Sequence, residues 1–320
     1  MKLAPFRTCA VVVVVVALGG FASPAAAQAT RTWVASEGSD LNPCSPLEPC
    51  KTFAAAISKT ATGGEINCLN PGGYGPVTIT RSMTIDCTGT LGAILAGDGN
   101  GVVVNAGVND IVRLRGLSIQ GGNAGINGVR AIGGGTLLIE DCAIENFKAS
   151  SAFGISLAPS LTSTVLVSNT TVSGNGSGAT GGGVLVQPLG SAQATVVLNR
   201  VTLMRNANNS LFLNTTGNTG GITATVRDSV IASSATGVSL LAAAGPIGLL
   251  IDDVAIVHHS SNGILVSGAN GVARVTHSTI TGNVTGVNAI NGGQLLSFGN
   301  NQLIGNGANG VFVGAALGQN

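Results

Sequence analysis

The sequence predicts an all-β solenoid with one short helix near its N-terminus, and three observations support this fold class. A six-residue pattern recurs eight times, and its copies end 23 to 31 residues apart. Only 8% of the residues are charged and 49 of 320 are glycine, whereas about a quarter of a typical globular chain is charged. One stretch alone has convincing helical periodicity, residues 51–59, where Phe53, Ala56 and Ile57 share a face.

Residues 1–29 have the pattern of a signal peptide. Lys2 and Arg7 precede an apolar run at 9–18, and Ala27 or Ala29 ends a small-residue cleavage site. The run is short for a bilayer span, which favours cleavage over an uncleaved membrane anchor. We therefore expect a secreted or periplasmic protein whose mature chain has no membrane span.

Cleavage at this site removes two of the 14 basic residues and leaves the 13 acidic ones, so the mature chain is close to neutral. A neutral chain has no long-range field that would recruit nucleic acid or an anionic membrane. We expect neither a nucleic-acid partner nor a cofactor.

Five cysteines remain after cleavage, and export permits disulfides. Cys44 and Cys50 bracket a short proline-containing loop, while Cys68 and Cys87 bracket the first strand-like segments. Their positions favour the pairs 44–50 and 68–87, although spacing alone leaves the connectivity open. Cys142 is then left over, and its small or apolar column predicts a buried, unreactive thiol. No Cys-x-x-Cys is present and no His lies near these residues, so we expect no metal site there.

The repeat consists of an apolar residue, two polar or charged residues, a small residue, any residue, and then Ile, Val or Leu. Its copies are residues 114–119, 139–144, 167–172, 198–203, 226–231, 251–256, 275–280 and 298–303. A polar residue follows most copies, usually Asn, and then Gly with apolar alternation. Each repeat therefore predicts about three short strands. The expected organisation is a leader at 1–29, an N-terminal capping segment with the first coils at 30–108, and repeats at 109–320.

This arrangement resembles the right-handed parallel β-helix of the pectin-lyase-like superfamily over roughly residues 50–320. The resemblance includes a short helix at 52–58, Gly-Gly-Glu-Ile-Asn at 63–67 and Pro-Gly-Gly-Tyr at 71–74. It implies that the helix caps the N-terminal end of the solenoid. The superfamily contains lyases, hydrolases, tail-spike proteins and adhesins, so the resemblance leaves the function open.

Equivalent residues of neighbouring coils should stack about 4.8 Å apart. One such row contains Arg200, Asp228, Asp253 and His277. A carboxylate pair with a histidine and an arginine is a candidate catalytic site, because close carboxylates separate into an acid and a base, as in glycoside hydrolysis. The alternative is a solvated turn face, where these residue types are common.

In the carbohydrate-active β-helix enzymes that this chain resembles, the active residues project from the strand that corresponds to the Gly-apolar-x-apolar strand here. From residue 154 onward, the outward positions of this strand contain no acid, base or histidine. The hydrolase partner motifs Gly-His-Gly and Arg-x-Lys are missing, and we expect neither an acidic calcium-binding cluster nor an Arg base on that strand. What the strand does offer is an apolar row, a candidate binding surface. Its members are Leu185, Phe212, Leu265 and Phe312.

His258 and His259 could bind a metal with Asp253. However, adjacent residues of an extended chain point in opposite directions, and His259 occupies the column that is usually Asn. The sequence therefore favours a role for His259 in turn hydrogen bonding.

The leading functional hypothesis is an exported, non-catalytic protein that binds a surface glycan or protein. The rivals are a polysaccharide lyase or glycoside hydrolase, and a purely structural scaffold. The C-terminal coil remains apolar at 310–317, which predicts self-association there.

Overall fold

Three walls of parallel strands enclose one apolar core, as the sequence predicted. The computed structural model describes residues 1–2, 4, 28–314 and 317–318, so the apolar run and most of the expected leader lie outside the described residues. The solenoid is right-handed and has about nine turns. Among the described residues, no helix combines the length and the hydropathy that a membrane crossing requires.

The single helix, α1, spans Phe53–Lys59. In chain order the strands are β1 (Ala29–Val34), β2 (Thr60–Cys68), β3 (Gly72–Gly73), β4 (Val77–Ile79), β5 (Met83–Asp86), β6 (Gly92–Leu95), β7 (Asn100–Val104), β8 (Ile111–Arg115), β9 (Leu117–Gln120), β10 (Asn127–Ala131), β11 (Gly135–Glu140), β12 (Ala143–Glu145), β13 (Phe153–Leu157), β14 (Ser163–Ser168), β15 (Thr171–Ser173), β16 (Gly182–Val186), β17 (Ala194–Asn199), β18 (Thr202–Met204), β19 (Asn209–Asn214), β20 (Ile222–Ala232), β21 (Thr236–Leu241), β22 (Ile247–Val257), β23 (Asn262–Ser267), β24 (Gly271–Thr276), β25 (Thr279–Thr281), β26 (Thr285–Ile290), β27 (Gln294–Ser297) and β28 (Gln302–Leu303).

The first wall is a nine-stranded sheet, β4-β7-β10-β13-β16-β19-β21-β23-β26. The other 19 strands form one continuous sheet that folds into a second and a third wall. In β20 and β22 the chain runs through both of these walls, whereas other coils break between them. All strand-to-strand pairings within these sheets are parallel, so each residue lies against its equivalent in the next coil.

Inward side chains of successive coils form continuous apolar columns. Ile231 pairs with Ile256, and Ile256 pairs with Ile280. All three are fully buried, and burial of such a side chain contributes about 1.5–3 kcal/mol. A single coil could not exclude water from its own core, so the columns make the coils mutually dependent.

Helix α1 closes the N-terminal end of the core. The Thr52 hydroxyl accepts a hydrogen bond from the Ala55 amide at 3.1 Å, and the Phe53 ring packs on Tyr74 with ring centroids 5.2 Å apart. The helix ends at Lys59 because Thr60 turns to extended geometry (φ −93°, ψ 133°), and Gly63 and Gly64 lie within β2.

Two disulfides fasten the N-terminal coils. Cys44 is bonded to Cys50 and Cys68 to Cys87, the pairs that the spacing favoured. Cys142 remains a buried thiol, and desolvation raises its pKa to about 12. It therefore stays protonated and unreactive, as its inward column predicted.

The C-terminal residues return across the last coil. The Val313 amide donates to the Leu295 carbonyl at 2.7 Å in an antiparallel bridge, and Phe312 packs against the apolar core. The expected position of Phe312 in the outward apolar row was therefore wrong. The repeat pattern failed here because this segment bridges to β27 and adds no strand to the first wall.

A buried ladder of polar side chains lines the turn between the third and first walls. The amides of Asn175, Asn206, Asn283 and Asn306 each donate to a main-chain carbonyl of the preceding coil, at 2.9–3.1 Å. Each bond ties the turn of one coil to the main chain of the coil before it, and such a hydrogen bond contributes about 0.5–1.5 kcal/mol.

The glycine that opens most first-wall strands makes room for this ladder. A Cβ at Gly183 would lie 2.8 Å from the Asn206 amide nitrogen, and one at Gly263 would lie 3.0 Å from that of Asn283. One coil lacks both the strand glycine and the ladder asparagine. Ser210 replaces the glycine and Ser234 replaces the asparagine, and their hydroxyls are hydrogen-bonded at 3.0 Å. In this coil the ladder residue is smaller where the strand residue is larger, because the two side chains share the same space.

This pairing predicts strong coupling between positions 210 and 234. Ser234→Asn alone should destabilise the protein by about 1–3 kcal/mol, because the longer side chain meets the Cβ of Ser210. Adding Ser210→Gly should restore the stability, since it recreates the Gly–Asn pair of the other coils. A double-mutant cycle by urea unfolding measures the coupling, and additive effects of the two substitutions would contradict the pairing.

Candidate functional site

The turn between the second and third walls carries the predicted catalytic row. Arg200, Asp228, Asp253 and His277 occupy equivalent positions in four successive coils, with φ of 52°, 52°, 55° and 48°. We call these four residues the turn row. They are exposed, and the sequence was right to place them side by side.

The contacts within the turn row do not converge on one point. Asp228 pairs with Arg227 at 3.1 Å, and His277 pairs with Asp252, not Asp253, at 3.2 Å. In the described part of the chain, no hydrogen bond joins Asp228 to Asp253 or Asp253 to His277. Asp228 and His277 thus belong to two separate surface pairs, each of which contributes about 0–1 kcal/mol.

Backbone geometry explains the composition of the turn row. The same left-handed turn recurs at Asp141 and Asn169, with φ of 55° and 49°. Asp, Asn and His tolerate this conformation better than most residues that carry a Cβ. Four of the six positions are therefore filled by Asp or Asn for a conformational reason that these six coils share. A single catalytic centre would instead place its groups at one point along the solenoid.

His259 belongs to the buried ladder and not to a metal site. Its Nδ1 accepts from the Ser234 amide at 3.2 Å, and its Nε2 lies 3.1 Å from the Ile231 carbonyl. The amide can only donate and the carbonyl can only accept, so Nε2 carries the proton and the ring is neutral. His259 therefore makes the two contacts that asparagine makes elsewhere in the ladder. No group of three His, Cys, Asp or Glu that could hold a metal occurs among the residues described.

The outer face of the first wall carries the predicted binding residues. Strand pairing places Leu185, Phe212, Ser239, Leu265 and Asn288 in register across five coils, and we call this set the outer row. Leu185 and Phe212 are neighbours, but Ser239 separates Phe212 from Leu265. The apolar side chains of the outer row are half-buried.

A cavity of about 460 Å³ opens on this face around Phe212 and Leu265. Three members of the outer row, Phe212, Ser239 and Leu265, line it together with the neighbouring outward positions Leu241, Ser267 and Ile290, whereas Leu185 and Asn288 lie outside it. The lining residues are Ala179, Thr180, Asn208, Asn209, Phe212, Ser239, Leu240, Leu241, Leu265, Ser267 and Ile290. None of them is charged.

Arg130 is a functional candidate that the repeat alignment did not include. It pairs in register with Val103 and Ser156 on the first wall, and its side chain is exposed. The expectation that this wall lacks a basic residue was therefore wrong. The segment Gly128-Val-Arg-Ala131 has the same Gly-apolar-x-apolar pattern as the later strands, so extending the alignment by one coil would have found it.

Comparison with known proteins identifies the fold. Residues 92–270, more than half of the chain, match the family described as "Right handed beta helix region". The structure is similar to that of pectate lyase Pel9A, with a TM-score of 0.62 and 14% identity over 83% of this chain and 74% of that one. A rhamnogalacturonan lyase aligns with a TM-score of 0.44 and 12% identity over 79% and 76% of the two chains. No curated protein sequence matches significantly.

The neutral state of His259 predicts a specific pH dependence of stability. Burial lowers its pKa from 6.5 to about 4, so the unfolded chain binds a proton between these values that the folded protein does not. The free energy of unfolding should fall by about 3 kcal/mol as the pH drops from 6.5 to 4. His259→Asn should remove this contribution while keeping both ladder contacts.

Urea unfolding at pH 7 and pH 4 measures the effect, with His277→Asn as the exposed control. The control should keep the pH dependence of the wild type. If His259→Asn changes the pH dependence no more than His277→Asn does, then His259 is not the group responsible.

Proposed function

The chain belongs to the family of right-handed beta helix regions, and we propose that it is an exported protein that binds a neutral polysaccharide on the outer face of its first wall without cleaving it. The observation that carries this proposal is the uncharged cavity around Phe212 and Leu265. Two disulfides support an oxidising, extracytoplasmic location.

The lining of the cavity fits a sugar chain better than an apolar molecule. The ring of Phe212 and the side chains of Leu241 and Leu265 can pack against the C–H faces of pyranose rings. Beside them, the side-chain amide of Asn208 and the hydroxyl of Ser239 can hydrogen-bond to sugar hydroxyls. A few polar groups that orient a ligand over an apolar floor are the usual composition of a ligand site.

Neutrality of the ligand follows from the charge of the cavity. A polymer that carries a carboxylate on every residue would lose hydration on entering the site and gain no cationic partner there. Arg130 lies outside the cavity, four coils before Ser239 on the same wall. The floor of the cavity therefore favours hydroxyl-bearing over carboxylate-bearing sugars.

A polysaccharide lyase is the second candidate function, because Arg130 places one positive charge on the first wall. Removing a proton next to a carboxylate requires a base and a cation that stabilises the resulting enolate. The neighbours of Arg130 in register are Val103 and Ser156, which supply neither an acid nor a second cation. A glycoside hydrolase would depend on the turn row, in which Asp228 and His277 belong to separate surface pairs.

We expect Phe212→Ser and Leu265→Ser each to weaken polysaccharide binding about tenfold. Each substitution removes apolar contact worth about 1.4 kcal/mol or more. Affinity electrophoresis in gels containing β-glucan, mannan or xylan measures the retardation. Leu250→Ser is the matched control, because Leu250 is a half-buried outward leucine of the second wall. Equal retardation of all four proteins, or of none, would rule out this site.

We expect no cleavage when the wild-type protein is incubated with acidic or neutral polysaccharides and assayed for new reducing ends and unsaturated products. Loss of an observed activity in Asp228→Ala or Asp253→Ala would establish a hydrolase that uses the turn row. Loss in Arg130→Gln, with both aspartate variants active, would establish a lyase. Either result overturns the non-catalytic proposal.

A further inference from the structure

A second cavity lies at the N-terminal end of the solenoid, far along the chain from the outer row. Its volume is about 690 Å³. It is bounded by the edge of β1, the loop that leads to the Cys44–Cys50 disulfide and the end of α1. The lining residues are Gln28, Ala29, Arg31, Trp33, Leu41, Asn42, Pro43, Cys44, Ser45, Ser58 and Lys59. The polysaccharide proposal makes no use of this cavity.

The cavity lies beside a strand edge that is only half covered. The Trp33 amide donates to the Cys44 carbonyl at 2.9 Å, and the Trp33 carbonyl accepts from the Cys50 amide at 3.0 Å. Main-chain groups of alternate residues point to the same edge of a strand, so those of Arg31 and Ala29 face the same way as those of Trp33. Among the described residues, none hydrogen-bonds to Arg31 or Ala29 on this edge.

The side chains around this edge are apolar with an uncompensated positive charge. The Lys59 ammonium group donates to the carbonyl oxygens of Asp40 and Asn42, and no carboxylate of a described residue lies within 4.0 Å of it. Arg31 is paired with Glu65 at 3.0 Å. No acidic residue lines the cavity, so its net charge is positive.

We propose that this cavity binds an extended acidic segment of a partner polypeptide, which adds a strand to the edge of β1. Exposed edge groups bind a strand through its main chain, and neighbouring pockets select alternate side chains. Here the Trp33 and Pro43 side chains would contact an apolar residue of the segment. Lys59 would attract a carboxylate. The Cys44–Cys50 loop, which already pairs with Trp33, sets the position at which the added strand ends.

The chain provides a specific optical reporter for this site, because Trp33 is its only tryptophan. The protein is purified from exporting cells, its N-terminus is determined by mass spectrometry, and Trp33 emission is recorded during titration. The probe is the acetylated and amidated hexapeptide DVTVEV. The controls are KVTVKV and a form of DVTVEV with alternate amides N-methylated, which cannot complete the main-chain hydrogen bonds. We expect saturable binding of DVTVEV and about tenfold weaker binding of both controls.

Two variants at one exposed position test the charge preference without disturbing the fold. Leu41 lines the cavity and its side chain is 96% exposed. Leu41→Lys should strengthen and Leu41→Asp should weaken binding of DVTVEV, each by a few-fold. Phe212→Ser, in the polysaccharide cavity, should leave this binding unchanged while it weakens glycan retention, so the two proposals fail independently.

Several outcomes would overturn the strand-addition proposal. One is binding of the N-methylated peptide as tightly as DVTVEV. Another is a Trp33 response to neutral oligosaccharides in place of peptides, which would make the cavity a sugar site. A third is a Trp33 emission that shifts with protein concentration alone while light scattering reports a dimer, which would make a second copy the occupant. Absence of any Trp33 response to DVTVEV also counts against it.

Discussion

In-register stacking of coils is the constraint on which the rest of this structure depends. Each side chain lies about 4.8 Å from its equivalents in the coils before and after it, so a residue must fit its column before it can do anything else. The coil with Ser210 and Ser234 shows how strict this requirement is. Ser210 stands at the strand position where most coils have glycine, and Ser234 stands at the ladder position where most have asparagine. Their two hydroxyls are hydrogen-bonded to each other at 3.0 Å.

The same constraint decides between structural and chemical explanations of the polar residues. His259 has the residue type of a catalytic base, but its two ring nitrogens make the contacts of a ladder asparagine. Asp228 and Asp253 have the residue types of an acid pair, but their left-handed backbone recurs at six equivalent positions, four of which are Asp or Asn. In both cases the structural requirement of the column accounts for the residue type, and no role in binding a substrate is needed to explain it. A candidate site is more convincing where it departs from its column, as Phe212 and Arg130 do.

Periodicity predicted most of the fold, because a repeat that pairs with itself carries its tertiary contacts in its own sequence. The three strands per repeat, the turn row, the ladder and the inward position of Cys142 all follow from the column alignment. The prediction was wrong at Phe312, which lies in no strand of the first wall and packs against the core. It missed Arg130 because the alignment began one coil too late. The cavity beside Trp33 could not be predicted, because a disulfide loop, a helix end and a strand edge form it together.

The ends and the middle of the solenoid therefore differ in what they can bind. In the middle, every strand edge is occupied by the next coil, so only side chains are available, and the first wall offers an uncharged set around Phe212. At the N-terminal end the main chain of β1 is also available, together with the ammonium group of Lys59. Side chains arranged in rows suit a polymer that lies along the surface, whereas a strand edge suits a polypeptide that extends the sheet. This difference in chemistry makes two separate partners more consistent with the structure than one partner that spans both sites.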